Sequence, residues 1–313
     1  MWIRPLDVAE AHAFRSRPFI GIRGTYTERQ LWELYVKFGA SPRSLALHTS
    51  DPDGFECLVT RQIMEVRSDV LRCASCDPEN IFDHVFVTLP SPTNRNTYEK
   101  RIISRHVFEL LWENHLQCYI SDMEYFYHNF RVSPSTADFA GWIFEFRIHQ
   151  LLGRQQTIQI FSIGQDSPRL GNFIYNGYPG VSLTLQLPGS NKHILVEGGH
   201  FHVNQYYHLK HTDFPTIDSL LLLPGPPPTL VVFQITRNAE EHNVSKDSLR
   251  SVDKLGLPWN TRRVWVVVTP EGVKPEIKIP MAYFGMEAGT KLVGEGFGAY
   301  HLPVPLSELF STQ

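Results

Sequence analysis

The sequence has 313 residues, of which 42% are hydrophobic and 19% charged, and its 29 Lys and Arg against 32 Asp and Glu give a formal net charge of −3. This composition is typical of a globular protein, and the length is sufficient for two domains with substantial hydrophobic cores. The charge balance excludes a broadly basic surface, so a nucleic acid could bind only in a local cleft.

The beginning of the chain and its cysteines indicate where the protein resides. Residues 1–5 lack the apolar core of a signal peptide, and no stretch approaches the roughly 18 uninterrupted apolar residues of a membrane span. The four cysteines are too few for a disulfide framework and favour a reducing compartment. We therefore expect an intracellular protein of the cytoplasm or nucleus, with no membrane partner.

Residues 1–132 are predicted to form a helical module. Thr27 is a suitable N-cap, and Gly39 a suitable stop, for a helix whose apolar residues recur every three or four positions. The same periodicity predicts further helices at 58–71, 98–115 and 118–130.

Residues 133–313 are predicted to form a second domain of α/β type. Ser133 and Pro134 mark the start of an apolar helix. Short strands follow, with one helix, 239–255, before the last of them. The predicted strands are 157–163, 172–175, 181–187, 193–197, 201–206, 214–223, 230–236 and 263–269. The predicted fold is α+β overall, a helical module followed by a mixed β-sheet flanked by helices.

Polar residues interrupt three of the apolar elements. Asp218 lies in a strand that is otherwise apolar, where an unpaired carboxylate is so costly that it needs a partner, a metal or water. Gln234 and Thr236 lie two positions apart on the next strand and so project from one face. Glu145 interrupts the apolar helix before the strands. We expect these four residues to form one polar site.

The region that contains this site resembles the PD-(D/E)xK nucleases, which have the restriction-endonuclease-like fold. In that family an acid opens one strand, an acid-x-Lys motif lies on the next, and together they hold one or two Mg²⁺ ions. Asp218 matches the first element, whereas Gln234-Ile235-Thr236 stands where the family has Glu-x-Lys. With His242 and the strand from Trp265 to Pro270, these residues look like the C-terminal half of the Crinkler and retrotransposon hot spot proteins.

The resemblance implies metal-dependent hydrolysis of phosphodiester bonds in nucleic acid. Glu145, Asp218 and Gln234 would hold Mg²⁺ or Mn²⁺ through oxygen ligands, and the ion would activate a water molecule beside Thr236. Because an amide and a hydroxyl replace the family's carboxylate and ammonium groups, weak activity is expected. The alternative is a catalytically degenerate effector or interaction module that retains the fold, in which Gln234 donates hydrogen bonds to Asp218 and no metal binds.

The helical module is similar to the region that follows the NTPase core in the same group. The matching residues are 31–35 and the turn from Gly39 to Arg43. The sequence has no GxxxxGK[ST] motif, so it cannot bind ATP phosphates as a P-loop does. The resemblance therefore implies a partner NTPase module that is separate or has been lost.

Two further groups of residues could bind metal. His200 and His202 alternate on a predicted strand and could ligate an ion in a cupin-like manner, or they could face solvent on a hairpin. Cys73 and Cys76 provide half of a zinc site, but no second pair follows at zinc-finger spacing. Two half-buried thiols are the simpler interpretation.

Overall fold

The computed structural model divides into two compact units, Met1–Trp142 and Ile143–Ser311. The described residues are 27–39, 42–66, 84–90, 98–114, 120–131, 137–169, 172–175, 182–189, 193–195, 202–209, 216–237, 241–244, 246–257, 261–280 and 297–311. The predicted helix start at Ser133 and Pro134 lies outside them. The division between the units falls within one helix, ten residues after the predicted boundary at residue 132.

The first unit contains five helices and a two-stranded antiparallel sheet among its described residues. These elements are α1 (Glu28–Phe38), α2 (Pro42–Ser50), α3 (Pro52–Glu65), β1 (Phe86–Pro90), β2 (Tyr98–Ile102), α4 (Arg105–Asn114) and α5 (Ile120–Phe130). Buried apolar side chains from α1, α3 and α4 form its core, among them Phe38, Phe55, Val59, Ile63, Val107, Leu111 and Trp112.

Both predicted ends of helix α1 are confirmed. The Thr27 side chain accepts from the backbone N–H of Gln30, and the Gln30 side chain accepts from the backbone N–H of Thr27, which together form a capping box. Gly39 ends the helix with φ +75°, and a Cβ atom there would lie only 2.5 Å from Cγ1 of Ile103. Glycine is therefore required at this turn.

The helix predicted at 98–115 is wrong in its first part. Residues 98–102 form β2, which pairs antiparallel with β1, and the helix begins at Arg105. The Ser104 hydroxyl accepts a hydrogen bond of 3.2 Å from the backbone N–H of Val107 and so satisfies one of the free donors at the helix start. The helical stripe of apolar residues begins only at Val107.

The second unit is built on α6 (Ala137–Leu152), which begins in the first unit, and on strands of two sheets. Its other elements are β3 (Gln155–Ser162), β4 (Gln165–Arg169), β5 (Asn172–Tyr175), β6 (Ser182–Pro188), β7 (His193–Leu195), β8 (Tyr206–Leu209), β9 (Ser219–Leu223), β10 (Thr229–Ile235), β11 (Glu241–Asn243), α7 (Lys246–Asp253), β12 (Arg262–Pro270), β13 (Glu276–Pro280), β14 (Phe297–Val304) and α8 (Leu306–Leu309). The chain is therefore a mixed α and β protein, and the strand predicted at 172–175 is confirmed.

The larger sheet has eight strands in the order β6-β3-β14-β12-β10-β9-β8-β7. Strand β9 is antiparallel to both of its neighbours, β8 and β10, whereas β12 is parallel to both β10 and β14. The smaller sheet has the order β11-β13-β5-β4. In both sheets, parallel and antiparallel pairs occur together, as predicted for a mixed sheet.

The helix predicted at 239–255 is shorter than expected. Residues 241–243 form β11, which pairs parallel with β13, and helix α7 occupies only Lys246–Asp253. The strands predicted at 201–206 and 214–223 are likewise displaced or shortened, because the observed strands are β8 and β9. Among the described helices, none has the length and apolar character needed to cross a bilayer.

The two faces of the larger sheet have different surroundings. Side chains of directly opposed residues point to the same face, so the register places His208, Ser219, Phe233 and Val266 on one face. The alternate residues face the other way into an apolar cluster that includes Leu220, Leu222, Leu230, Val232, Trp265 and Val267. Helix α6 contacts the first face through His149.

Candidate functional site

Glu145 and His149 lie one helical turn apart on α6. Residues four positions apart share a face of a helix, and here Oε1 of Glu145 lies 3.4 Å from Nε2 of His149. The Glu145 side chain is 13% exposed and that of His149 is 2% exposed. The pair is therefore largely removed from solvent, where the charge of a carboxylate requires compensation.

Strand β8 supplies two more polar side chains to the same place. The hydroxyl of Tyr206 lies 2.6 Å from Nδ1 of His149, and the imidazole rings of His149 and His208 have centroids 4.1 Å apart. Tyr206 and His208 share a face of the sheet because they are two positions apart on one strand. Each ring nitrogen of His149 therefore has an oxygen partner, one on α6 and one on β8.

The two contacts of His149 determine which tautomer a neutral ring would adopt. If Glu145 is ionised it can only accept, so a neutral imidazole would carry its proton on Nε2 and accept the O–H of Tyr206 at Nδ1. Burial raises the pKa of the Tyr206 hydroxyl well above its ordinary value. The nearby Ser219 hydroxyl lowers this pKa, and the negative charges of Asp218 and Glu145 raise it. Tyr206 therefore remains neutral and available as a donor.

Asp218 lies immediately before β9 and is partly buried. Its Oδ2 atom accepts a hydrogen bond of 2.6 Å from the backbone N–H of Ile235 at the end of β10. Its negative charge also raises the pKa of Tyr206, as does the charge of Glu145. The two predicted carboxylates therefore both influence the Tyr206 hydroxyl.

Gln234 lies on the other face of the sheet from His208 and Phe233. Its side chain is buried, and its Oε1 atom accepts a hydrogen bond of 3.4 Å from the indole N–H of Trp265. Thr236 follows the end of β10 and is partly buried, with its backbone N–H bonded to the carbonyl of Val268. The structure therefore brings Glu145 to His149, Tyr206 and His208, and it does not bring Gln234 to this group.

The sequence contains a signal for His149 that is independent of the predicted site residues. The pattern Glu145-x-x-x-His149 places a carboxylate and an imidazole on one face of any helix. His208 was recognisable only as one of several histidines, because its position depends on the pairing of β8 with β9. His202 is exposed, whereas His200 and the pair Cys73 and Cys76 lie outside the described residues.

The geometry is compatible with a bound cation. Among the described residues, Glu145, His149 and His208 are the set of three potential ligands whose donor atoms all lie within 4.8 Å of one another. One carboxylate and two imidazoles are a common ligand set for divalent transition metals. The group can therefore either bind a metal or serve as a buried chain of hydrogen bonds that orders α6 against β8.

Comparisons with known proteins found no matching family model, curated protein or solved structure.

Proposed function

We propose that the second unit is a metal-dependent hydrolase that cleaves phosphodiester bonds of nucleic acid, with a divergent PD-(D/E)xK domain of restriction-endonuclease-like fold. The observation that carries this proposal is the Glu145 carboxylate, 13% exposed and next to His149. A carboxylate in such a position has the strongest reason to be ionised if a cation lies beside it.

The order of the strands supports the nuclease resemblance. Asp218 immediately precedes β9, and Gln234-Ile235-Thr236 ends the neighbouring antiparallel strand β10. Helix α7 and the parallel strand β12 follow. The resemblance implies an acid and a second motif on adjacent strands. Strands β9 and β10, in or next to which these residues lie, are adjacent in the sheet.

Each residue of the group has a role in the proposed reaction. A bound Mg²⁺ or Mn²⁺ would lower the pKa of a water molecule and offset the charge that develops on the phosphate. Glu145 would ligate the ion. Asp218, whose charge raises the pKa of Tyr206 as that of Glu145 does, would add negative charge near the ion. His149 and Tyr206 hold the Glu145 carboxylate in place through their chain of hydrogen bonds.

A cleavage assay tests the proposal directly. Supercoiled plasmid DNA and a single-stranded RNA are incubated with the protein in increasing Mg²⁺ or Mn²⁺, and the products are separated on gels. We expect nicking that saturates with metal and falls at least about 100-fold in Glu145→Gln, which keeps the shape of the side chain. Glu124→Gln, on the first unit, is the matched control and is expected to cleave normally. Absence of cleavage with both ions and both nucleic acids would reject the hydrolase.

One observation favours a second candidate, a non-catalytic interaction module. The positions of the family's acid-x-Lys motif hold neutral residues, and the amide of Gln234 is already bonded to Trp265. A protein of this type would bind nucleic acid or a protein partner saturably and without cleavage. The same plasmid and RNA, used in a mobility-shift assay at each metal concentration, separate the two candidates.

A further inference from the structure

We propose that Glu145, His149 and His208 form a site for one first-row transition metal ion, with Zn²⁺ as the expected occupant. This inference goes beyond the proposed hydrolase because it names Zn²⁺ in place of Mg²⁺ or Mn²⁺ and a different set of ligands. It concerns binding alone, so it does not require that the protein cleave nucleic acid.

The chemistry of the donors distinguishes this site from one for Mg²⁺. Mg²⁺ prefers oxygen ligands and keeps several of its waters, whereas Zn²⁺ binds readily to neutral imidazole nitrogen. Two of the three donors here are imidazoles. The site therefore matches Zn²⁺, or Co²⁺ as its substitute, better than the Mg²⁺ or Mn²⁺ predicted from the sequence.

The distances fit a tetrahedral ion. Two ligands of Zn²⁺ with bonds of about 2.0 to 2.1 Å lie about 3.3 to 3.4 Å apart at tetrahedral angles. Oε1 of Glu145 and Nε2 of His149 lie 3.4 Å apart. His208 has a ring nitrogen within 4.8 Å of a donor atom of each of the other two residues, so a rotation of its side chain would bring it to the ion. Three protein ligands leave a fourth position for water.

Tyr206 supplies the support that a metal-bound histidine needs. With Nε2 of His149 bound to the ion, Nδ1 would carry the proton and donate a hydrogen bond to the Tyr206 oxygen 2.6 Å away. The Tyr206 O–H can then turn toward the Ser219 hydroxyl, which is near enough to lower the pKa of Tyr206. Such a partner on the second ring nitrogen selects the tautomer and fixes the ring, and its loss typically weakens metal binding about 10- to 100-fold.

The first unit contains an internal comparison. Glu124 and His128 on α5 have the same four-residue spacing, with Oε1 and Nε2 3.9 Å apart, but their side chains are 50% and 42% exposed. They belong to no three-ligand group among the described residues. The spacing alone therefore does not make a site, and the distinguishing features of the α6 pair are its burial and the additional histidine from β8.

The test measures binding of Zn²⁺ and Co²⁺ to the full chain without a polyhistidine tag. Zn²⁺ binding is measured by calorimetry, and Co²⁺ binding by the visible absorption of a four-coordinate ion. We expect one ion per chain. Binding should be at least about 100-fold weaker in Glu145→Gln and His208→Gln, and about 10- to 100-fold weaker in Tyr206→Phe. Glu124→Gln is expected to bind as the unmodified chain does.

Two further measurements keep the test independent of folding and of hydrolysis. X-ray absorption of the Zn²⁺-loaded unmodified chain is expected to show two imidazoles and at least one oxygen ligand, which requires no variant. Absence of stoichiometric Zn²⁺ binding, a spectrum without imidazole, or unchanged affinity in a folded His208→Gln chain would overturn the inference. Zn²⁺ binding without cleavage would reject only the hydrolase, and cleavage with Mg²⁺ without Zn²⁺ binding would reject only this site.

Discussion

The Asp218 carboxylate and the backbone N–H of Ile235 are joined by a hydrogen bond of 2.6 Å that connects the start of β9 to the end of β10. Asp218 is also the residue that we propose as the first acid of the nuclease-like site. A carboxylate that accepts from a backbone amide stabilises the fold whether or not it also contributes to chemistry. Stability and activity must therefore be measured separately at this residue.

Replacing Asp218 by Ala is expected to destabilise the second unit by about 1.5 to 3 kcal/mol, the usual contribution of a hydrogen bond to a charged group. Asp218→Asn retains an acceptor oxygen and is expected to lose less stability than Asp218→Ala. Denaturant unfolding of each variant gives the comparison. Asp253→Asn is the control, because that carboxylate is 57% exposed and forms an ion pair of 3.0 Å with Arg263. An Asp218→Ala chain as stable as the original would show that the bond is unimportant.

His301 gives the second unit a dependence on pH. The residue is fully buried, burial lowers its pKa to about 4, and its Nε2 atom lies 2.7 Å from the Thr269 hydroxyl. Since the unfolded chain has the ordinary pKa of about 6.5, the unfolded state binds the proton more tightly. Stability is therefore complete above about pH 6.5 and falls by up to about 3 kcal/mol as the pH decreases to about 4.

The measurement is the free energy of unfolding between pH 4 and 7.5 for the original chain and for His301→Gln. The variant is expected to be less stable at neutral pH but to show a shallower slope below pH 6.5. His202→Gln, a change at an exposed residue, should reproduce the original slope. Equal slopes in the original and His301→Gln chains would contradict the prediction.

Arg147 connects α6 to the last helix of the second unit. Its side chain is buried, and its Nε atom donates a hydrogen bond of 2.8 Å to the carbonyl of Leu309 in α8. Arg147→Met removes the donors while keeping apolar volume, and we expect a loss of about 2 kcal/mol. Hydrogen exchange of α8 should accelerate most. Arg147→Lys retains one donor, so its exchange rate in α8 should lie between those of the original chain and Arg147→Met. Equal exchange rates in all three chains would show that Arg147 does not stabilise α8.

Alanine is expected to be tolerated less well at Gly39 than at Gly256. Both have positive φ, +75° and +67°, but an added Cβ would meet Ile103 at Gly39 and nothing within 4 Å at Gly256. Gly256→Ala is expected to cost about 1 kcal/mol from the backbone alone. Gly39→Ala should cost more than about 2 kcal/mol, because its extended ψ of 175° is nearly restricted to glycine. The test is thermal unfolding followed separately for each unit. A smaller loss of stability in Gly39→Ala than in Gly256→Ala would contradict the prediction.

Local signals were sufficient for much of the secondary structure. The Thr27 and Gly39 caps predicted the ends of α1, and short apolar runs predicted β5, β10 and β12 to within a few residues. Residues 98–102 were predicted as helix, although their apolar spacing is compatible with a helix and with a strand. Their strand conformation depends on pairing with β1, a partner that no local pattern reveals.

The candidate site was predictable in part for the same reason. Glu145 was identifiable because a charge in an apolar helix needs a partner. Alternation along β10 also predicted that Gln234 and Thr236 share a face of the strand, but it could not show which face meets α6. The contacts of His149 with Tyr206 and His208 determine this, and they join residues that are distant in sequence.

The 162 positions that separate Arg147 from Leu309 also bear on how this unit is made. A ribosome must synthesise the chain as far as residue 309 before Arg147 on α6 can donate its hydrogen bond to the Leu309 carbonyl. Strands β9, β10 and β12, which contain wholly apolar stretches, are synthesised earlier. Contacts of such long range slow folding and leave incomplete sheets open to aggregation. Newly made chains are therefore expected to depend on chaperones until β14 and α8 have been added.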